Sequence, residues 1–263
     1  MKHHPTLLID GDVIAYKAAA AVERTFSWDG DNHTTVGSLE EAKVIVEDAL
    51  ASLLKGFKTK HYIVTLSDAV NWRHSIYGLY KANRKDKPRP SCLGAVKDYL
   101  DSTHPTYQRP TLEADDIMGI LSTHPGIVKK QYGFEGERII VSIDKDMRCL
   151  PGVFYDLGSK ELIEISAPEA DRFHMYQTLI GDTSDGYPGC PGIGPVRAGR
   201  ILEQGASYAE WWPLIVTAYT KAGQTEADAL TMARIARICR AQDYNYKTKE
   251  VIPWTPISTN TSK

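Results

Sequence analysis

Cysteine is scarce in this chain. Four residues in 263, Cys92, Cys149, Cys190 and Cys239, lie scattered without a C-x-x-C pair. That excludes a disulfide framework and a zinc knuckle and fits a reducing, cytoplasmic setting. Long apolar runs are missing too. None reaches the about 18 residues that a membrane helix needs, and Asp10 and Asp12 interrupt any candidate signal peptide. There is no Walker loop and no G-x-S-x-G elbow. The eight histidines show no H-x-x-x-H spacing and read as surface or core residues. Gly192-Ile-Gly194 begins a dinucleotide-like pattern, but Arg197 stands at the third glycine position and no strand precedes it. With 42% apolar and 24% charged residues the chain is globular, with room for one large or two small domains.

The net charge of −2 hides an uneven distribution. Between Asn71 and Pro90 lie Arg73, Lys81, Arg84, Lys85, Lys87 and Arg89 against a single acid, Asp86. Acids gather in short groups instead: Asp10/Asp12, Glu113/Asp115/Asp116, Asp144/Asp146 and Asp182/Asp185. Leaving out Asp12 and adding Asp68 gives nine acids for one site, and without them 31 basic residues face 24 acidic ones. A mildly basic body around one negative site suits a polyanionic substrate and a divalent metal.

The pattern predicts strands over Thr6–Ile9, His61–Leu66 and Arg138–Ile143, and a hairpin of Val153–Leu157 with Leu162–Ile165. Helices are expected from Val13 to Ala21, after Ser38 to about Leu54, near Leu93–Leu100, after Thr111 to about Ser122 and after Ser166 to about Ile180. Further helices should start at Pro195, after Ser207 and after Thr225. Asn71–Pro90 reads as a loop or mobile segment, Asp182–Gly194 as a Gly/Pro-rich loop, and the chain after Trp254 as a frayed tail. Alternating strands and helices imply an α/β domain with a largely parallel sheet. Asp10, Asp68 and Asp144 then project from one carboxyl edge, where such sheets build their sites.

A lone acid after a strand is usually a turn residue or cap. The joint D-x-D, E-x-D-D and D-x-x-D pattern is harder to assign to capping. Packed together without a counter-charge, these acids would repel and take up protons. Hard divalent cations relieve that, and two of them suit phosphodiester hydrolysis. The Gly189–Ala198 string has the form of a hairpin between helices whose backbone could approach a phosphate, or of a simple turn. Tyr77, Tyr80, Lys81, Arg84 and Lys85 interleave aromatics with cations, as a nucleic-acid strand requires, or form a solvated face. Arg234, Arg237 and Arg240 form a stripe open to solvent or to DNA.

The ordered set Ile-Asp10-Gly-Asp, Ser-Asp68, Tyr80-Lys-Ala-Asn-Arg84, Glu113-Ala-Asp-Asp116, Ser-Ile-Asp144-Lys-Asp146, Gly-Asp182-Thr-Ser-Asp185 and Gly192-Ile-Gly-Pro resembles the flap endonuclease/5′→3′ exonuclease superfamily. Asp-Ala-Val-Asn-Trp-Arg73, Tyr-Lys-Ala-Asn-Arg-Lys85 and Met-Ala-Arg-Ile235 are similar to the stand-alone 5′→3′ exonucleases of short-tailed bacteriophages. The resemblance implies a PIN-like core over 1–180 with a short basic arch or loop segment around 71–105. It also implies a helix-two-turns-helix and C-terminal helical DNA-binding region over 181–254, and a tail over 255–263. It gives Asp10, Asp68, Glu113, Asp115 and Asp116 to a first metal and Asp144, Asp146, Asp182 and Asp185 to a second. Both would be Mg²⁺, with Mn²⁺ as substitute. Lys81 and Arg84, with Asp144, would be catalytic, the basic pair acting on the scissile phosphate. Tyr16 would stack on a terminal base. Arg73, Tyr80, Lys85, Gly192, Gly194 and Arg197 would contact DNA, and carbonyls of Gly189, Cys190 and Ile193 would hold K⁺.

The implied enzyme is a divalent-metal-dependent 5′→3′ exodeoxyribonuclease, cytoplasmic (in the host cytoplasm if phage-encoded), monomeric and without a membrane partner. Its substrates would be duplex 5′ ends, nicks and flaps, with RNA/DNA hybrids in primer removal. The short interval between Arg84 and Glu113, broken by Pro88 and Pro90, disfavours a two-helix arch and tilts the expectation toward exonucleolytic digestion. The alternative is a non-catalytic DNA-structure-binding protein on the same fold.

Overall fold

The three apolar stretches found in the sequence become the centre of one sheet. The computed structural model describes residues 4–29, 32–85 and 87–256, so Asp86 and most of the expected tail lie outside the described residues. Strand β1 (Thr6–Asp10) is buried along its whole length, as a central parallel strand must be. It pairs in parallel with β4 (His61–Thr65) and with β6 (Arg138–Ser142). Beyond β4 lies the two-residue β5 (Thr106–Tyr107), and beyond β6 lies β7 (Gly152–Asp156), both parallel. The edge strand β8 (Glu161–Ile165) returns antiparallel through the expected hairpin. The order β5-β4-β1-β6-β7-β8 is the expected α/β sheet.

Alternation along β1 sorts the two faces. Leu7 and Ile9 point toward α1 (Gly11–Ala21), α2 (Leu39–Gly56) and α3 (Leu93–Thr103), where Ala15, Val46 and Leu100 close the core. Leu8 points the other way, into a core with Ile117 and Met118 of α4 (Ala114–Thr123), Val128 of α5 (Pro125–Tyr132) and Ala170 of α6 (Ala167–Ile180). A third apolar cluster joins α6 to α7 (Pro195–Leu202), α8 (Tyr208–Lys221) and α9 (Glu226–Ala236), with Trp211, Ile215 and Tyr219 at its heart. All four cysteines are free and buried. No helix among the described residues is long and apolar enough to cross a membrane.

Several local expectations need correction. An antiparallel pair, β2 (Glu23–Asp29) with β3 (Asn32–Gly37), follows α1. The Gly30-Asp31 dipeptide between the two runs was its sequence signal. Helix α5 was also missed, although Pro125 opens it and Gly133, at φ 70°, closes it. Thr111 does not cap α4: it has φ 65°, and the cap is Glu113, in a reciprocal box with Asp116. Asn71–Pro90 is no loose loop. It carries two tight turns, Trp72–Ser75 and Ala82–Arg84, and buries Trp72, Arg73 and Tyr80. Helix α9 stops at Ala236, so Arg237 and Arg240 leave the expected stripe and are buried, on Asp243 and on Asp171. A short ribbon of β9 (Tyr244–Asn245) and β10 (Glu250–Val251) ends the described chain.

Helix α1 starts directly at the exit of β1, and this junction places Asp10. Gly11 lies so close to β4 that a Cβ would stand 2.5 Å from Val64 Cγ1 and 2.8 Å from the Thr65 carbonyl. Gly11→Ala must therefore push β1 away from β4. We expect it to lower stability by roughly 1–3 kcal/mol, read from urea unfolding. An unchanged midpoint would contradict this packing.

Candidate active site

Three parallel strands end side by side, and each delivers an acid. Asp10 is the last residue of β1; its Oδ1 caps α1 by accepting from the Val13 amide (3.1 Å), and its Oδ2 accepts from Ser142 Oγ (2.7 Å). Asp68 follows β4, and its Oδ2 accepts from the Thr111 amide (2.7 Å). Asp144 follows β6 and accepts from the Asp146 amide (2.8 Å). The start of α4 adds Glu113 and Asp115, held close because Ser67 Oγ accepts from the Ala114 amide (2.9 Å). These five acids line one open cleft of about 780 Å³, together with Asp12, Tyr16, Lys17, Lys81, Arg84, Lys85 and Arg89. Asp12 faces Lys97 (2.9 Å).

Asp116 does not face this cleft. It is fully buried; Arg73 holds both its oxygens at 2.8 Å, and Trp72 Nε1 and the Cys239 amide donate to them as well. Its oxygens are thus engaged inside the fold, apart from the cleft-lining acids with which it was expected to hold metal. Arg73 is 2% exposed and cannot reach DNA. Tyr80, 3% exposed, is equally unavailable for stacking. Its hydroxyl lies 3.0 Å from Glu113 Oε2 and 2.9 Å from Asp185 Oδ2, so one proton serves two carboxylates. The burial of Arg73 and of Tyr80 has one cause: Glu113 and Asp116 sit at the start of α4 and demand partners there.

Asp146, Asp182 and Asp185 form an adjoining group outside the cleft lining. Lys145 Nζ lies 2.8 Å from Asp182 and 3.6 Å from Asp146, and Gln177 donates to Asp146 (2.6 Å). Arg84 pairs with Asp185, and Lys81, 3.7 Å from Asp185, lies 2.6 Å from Glu113 Oε1. Backbone contacts fix this arrangement: the Lys81 amide donates to the Asp185 carbonyl (2.7 Å), and Asn83 donates to the Thr183 carbonyl (2.8 Å). Residues 85–92 are the whole span between this turn and α3, whose Val96 and Leu100 are buried beside α1; among the described residues this span holds no second helix.

The acids fall into two electrostatic classes. Burial would raise Glu113, but Lys81 and Arg73 pull it down to about 2. Burial likewise opposes, and Lys145 and Ser184 outweigh it, in holding Asp182 near 2. The others lack such relief. Burial raises Asp10 to about 6, with Asp12 and Asp144 adding to it against the hydrogen bonds from Ser142 and Val13. Burial and then Asp10 and Asp144 push Asp115 well above the usual carboxylate range. Asp146 rises to about 7 through burial and Asp144. Among the described residues no three His, Cys, Asp or Glu side chains converge closely enough to hold an ion as they stand. Glu113, Asp185 and Asp182 are paired with Lys81, Arg84 and Lys145 instead. The donor chemistry nevertheless fits a hard cation: oxygen ligands only, and a repelling trio at Asp10, Asp115 and Asp144 without enough positive charge.

Of the other expected contacts, Tyr16 is 51% exposed on the cleft wall, and Lys85 is exposed beside it. Gly192, Gly194 and Arg197 lie exposed at the start of α7, away from the cleft, with Arg197 donating to the Gly192 carbonyl (3.0 Å). Of the three carbonyls expected to face K⁺, that of Cys190 already accepts from the Ile193 amide (3.1 Å), and Gly189 and Cys190 are buried. Sequence reasoning missed Ser67, Ser142 and Lys145. The signal was present, since each serine stands one or two residues before a strand-end aspartate and Lys145 sits between two acids.

These charges give a sign that can be measured. A carboxylate raised on folding contributes stability that is full below its ordinary 3.8 and is lost as pH rises through about 6, for Asp10. Asparagine keeps the cap and the Ser142 acceptor without the charge. In EDTA, Asp10→Asn is expected to exceed wild type at pH 8 by roughly 1–3 kcal/mol, with the gain vanishing near pH 4. Urea midpoints at both pH values check this; no gain at pH 8 overturns it.

The chain is similar to known proteins in sequence and in fold. The chain is 29% identical to the exodeoxyribonuclease of Enterobacteria phage T3, covering 96% of this chain and 93% of that one. It is 30% identical to the flap endonuclease Xni of Shewanella piezotolerans over 87% of this chain and 88% of the relative. In fold it is similar to the bacteriophage T5 flap endonuclease solved with DNA and metal ions, with TM-score 0.63, 14% identity and 88% of each chain covered. The 5′–3′ exonuclease N-terminal resolvase-like domain matches residues 5–162. A sheet that gathers strand-end acids in one cleft, carried on that domain, makes this chain a nuclease and a member of the 5′–3′ exonuclease family.

Proposed function

We propose that the chain is a divalent-metal-dependent 5′→3′ exodeoxyribonuclease acting on duplex 5′ ends, with flap cleavage and RNA-primer removal as secondary activities. The observation that carries this reading is the cleft in which Asp10, Asp68, Glu113, Asp115 and Asp144 meet Lys81 and Arg84. Phosphodiester DNA is a polyanion, and a site that offers both cations and anionic metal ligands is suited to hold it and cleave it. The phage T3 relative and the DNA- and metal-bound T5 enzyme support the substrate and the metal dependence.

Asp10, Asp68, Glu113 and Asp115 would hold a first Mg²⁺, and Asp144, Asp146, Asp182 and Asp185 a second, with Mn²⁺ as substitute. When bound, such ions supply an activated water and neutralise charge on the phosphate. Lys81 and Arg84 then turn from Glu113 and Asp185 toward the scissile phosphate and stabilise its developing charge. Tyr16 stacks on the terminal base at the cleft wall. Lys85 follows the backbone beside it. Gly192, Gly194 and Arg197 bind duplex phosphates at the start of α7, with K⁺ at the carbonyls of Gly189, Cys190 and Ile193. In this reading 1–180 is the nuclease core and 181–254 the DNA-binding region, a helix-two-turns-helix included, working as a monomer in the cytoplasm. The short 85–92 span favours digestion from ends over threading of long flaps.

A duplex labelled at the 5′ end of one strand and the 3′ end of the other tests the reading. With Mg²⁺ the 5′ label should leave first as mono- or short oligonucleotides, and EDTA or Asp144→Asn should abolish release while DNA binding persists. Lys81→Ala should lower turnover by about 10²–10³ and affinity far less. Binding without cleavage under any divalent metal would favour a non-catalytic DNA-structure-binding protein.

A further inference from the structure

Arg73 uses every donor it has. Nε donates to the Ile235 carbonyl (2.9 Å), Nη1 to Glu113 Oε2 and Asp116 Oδ2 (both 2.8 Å), and Nη2 to Asp116 Oδ1 (2.8 Å) and the Arg237 carbonyl (2.7 Å). A guanidinium carries five N–H groups in a rigid fork, and here five acceptors match them. The two carbonyls belong to the last turn of α9 and its cap, where a helix leaves acceptors without internal partners. The same junction is packed without slack. Asp116 also accepts from the Cys239 amide, and a Cβ on Gly119 would stand 2.2 Å from the Cys239 carbonyl.

Arg73 thus fastens three segments at one point: the basic segment, the start of α4 and the end of α9. Glu113 is the only cleft-lining acid in the set. Its Oε2 receives Arg73, with the Tyr80 hydroxyl beside it, and its Oε1 receives Lys81, so one oxygen is fixed from inside the fold while the other faces the Lys81 ammonium. A buried cluster of this kind is a poor way to gain stability, because apolar side chains of similar size often do as well or better. It is a good way to set an angle.

We infer that Arg73 is a positioning residue, which orients the Glu113 carboxylate in the cleft and ties that orientation to the end of α9. This rests on the proposed nuclease reading for its catalytic consequence, though not for the linkage itself. Lysine would keep the charge and lose the fork, so it cannot hold Glu113, Asp116 and two carbonyls together.

The test compares Arg73→Lys, Arg73→Gln, Glu113→Gln and the Arg73→Gln/Glu113→Gln double variant with wild type. On the labelled duplex, Arg73→Lys should lower kcat on the order of 10- to 100-fold with KM nearly unchanged. The double variant should turn over no more slowly than Glu113→Gln alone, because Arg73 acts through Glu113. Losses that add, or a loss that resides in KM, overturn the inference. Urea unfolding of the same set in EDTA, without DNA, reads the linkage apart from cleavage: non-additive midpoints support it and additive ones overturn it. If Arg73→Gln does not fold, the Arg73→Lys and Arg73→Lys/Glu113→Gln pair gives the same comparison. A wild type that fails to cleave counts against the nuclease reading, whereas a cleaving wild type with additive variants counts against the role of Arg73.

Discussion

Like charges crowded at the carboxyl edge of the sheet are the constraint on which the rest of this structure depends. Parallel pairing of β1, β4 and β6 makes Asp10, Asp68 and Asp144 neighbours whether or not their charges agree. The chain answers with side-chain cations: Lys81 on Glu113, Arg84 on Asp185 and Lys145 on Asp182. These pairs leave Asp10 and Asp115 raised, Asp10 by burial with Asp12 and Asp144, and Asp115 by burial with Asp10 and Asp144. A protein built only to fold would have no reason to keep that repulsion. One that cleaves a polyanion does, since the same residues that oppose each other in its absence can hold cations and substrate together.

The basic segment has a double character that follows from this. Its polar composition suggests solvent and DNA, and Lys85 and Arg89 do line the open cleft. Its aromatic and arginine anchors face inward. Trp72, Arg73 and Tyr80 are buried against the start of α4, so the cations near Lys81 are presented from a fixed base. The turn at Lys81 is itself held to the loop of Asp182 and Asp185 by backbone hydrogen bonds. Cations and carboxylates of the cleft are therefore positioned by one another.

Much of this was legible in the sequence, for physical reasons that differ by residue. Thr6–Ile9 and Arg138–Ile143 could be read because a strand buried on both faces is a nearly continuous apolar run. The carboxyl edge followed, and with it Asp10, Asp68 and Asp144. Caps at Ser38, Ser166 and Thr225 were readable because the hydrogen bond that makes them is local. The burial of Arg73 and Asp116 was not legible for the opposite reason. Their partners, Ile235, Arg237 and Cys239, lie more than a hundred residues away, and an arginine in a basic stretch carries no local mark of burial. Arg237 and Arg240 failed in the same way, since the stripe they form on an ideal helix ends when α9 stops at Ala236.

The central claim, that uncompensated carboxylates make this fold a receptor for divalent cations, is tested most directly without DNA. Urea unfolding of the wild-type protein at pH 8 would be followed across a Mg²⁺ series, against NaCl matched in ionic strength. The account predicts that Mg²⁺ raises the midpoint as binding to the folded state requires, that EDTA reverses the shift, and that NaCl does not reproduce it. Equal midpoints in Mg²⁺ and in matched NaCl would contradict it.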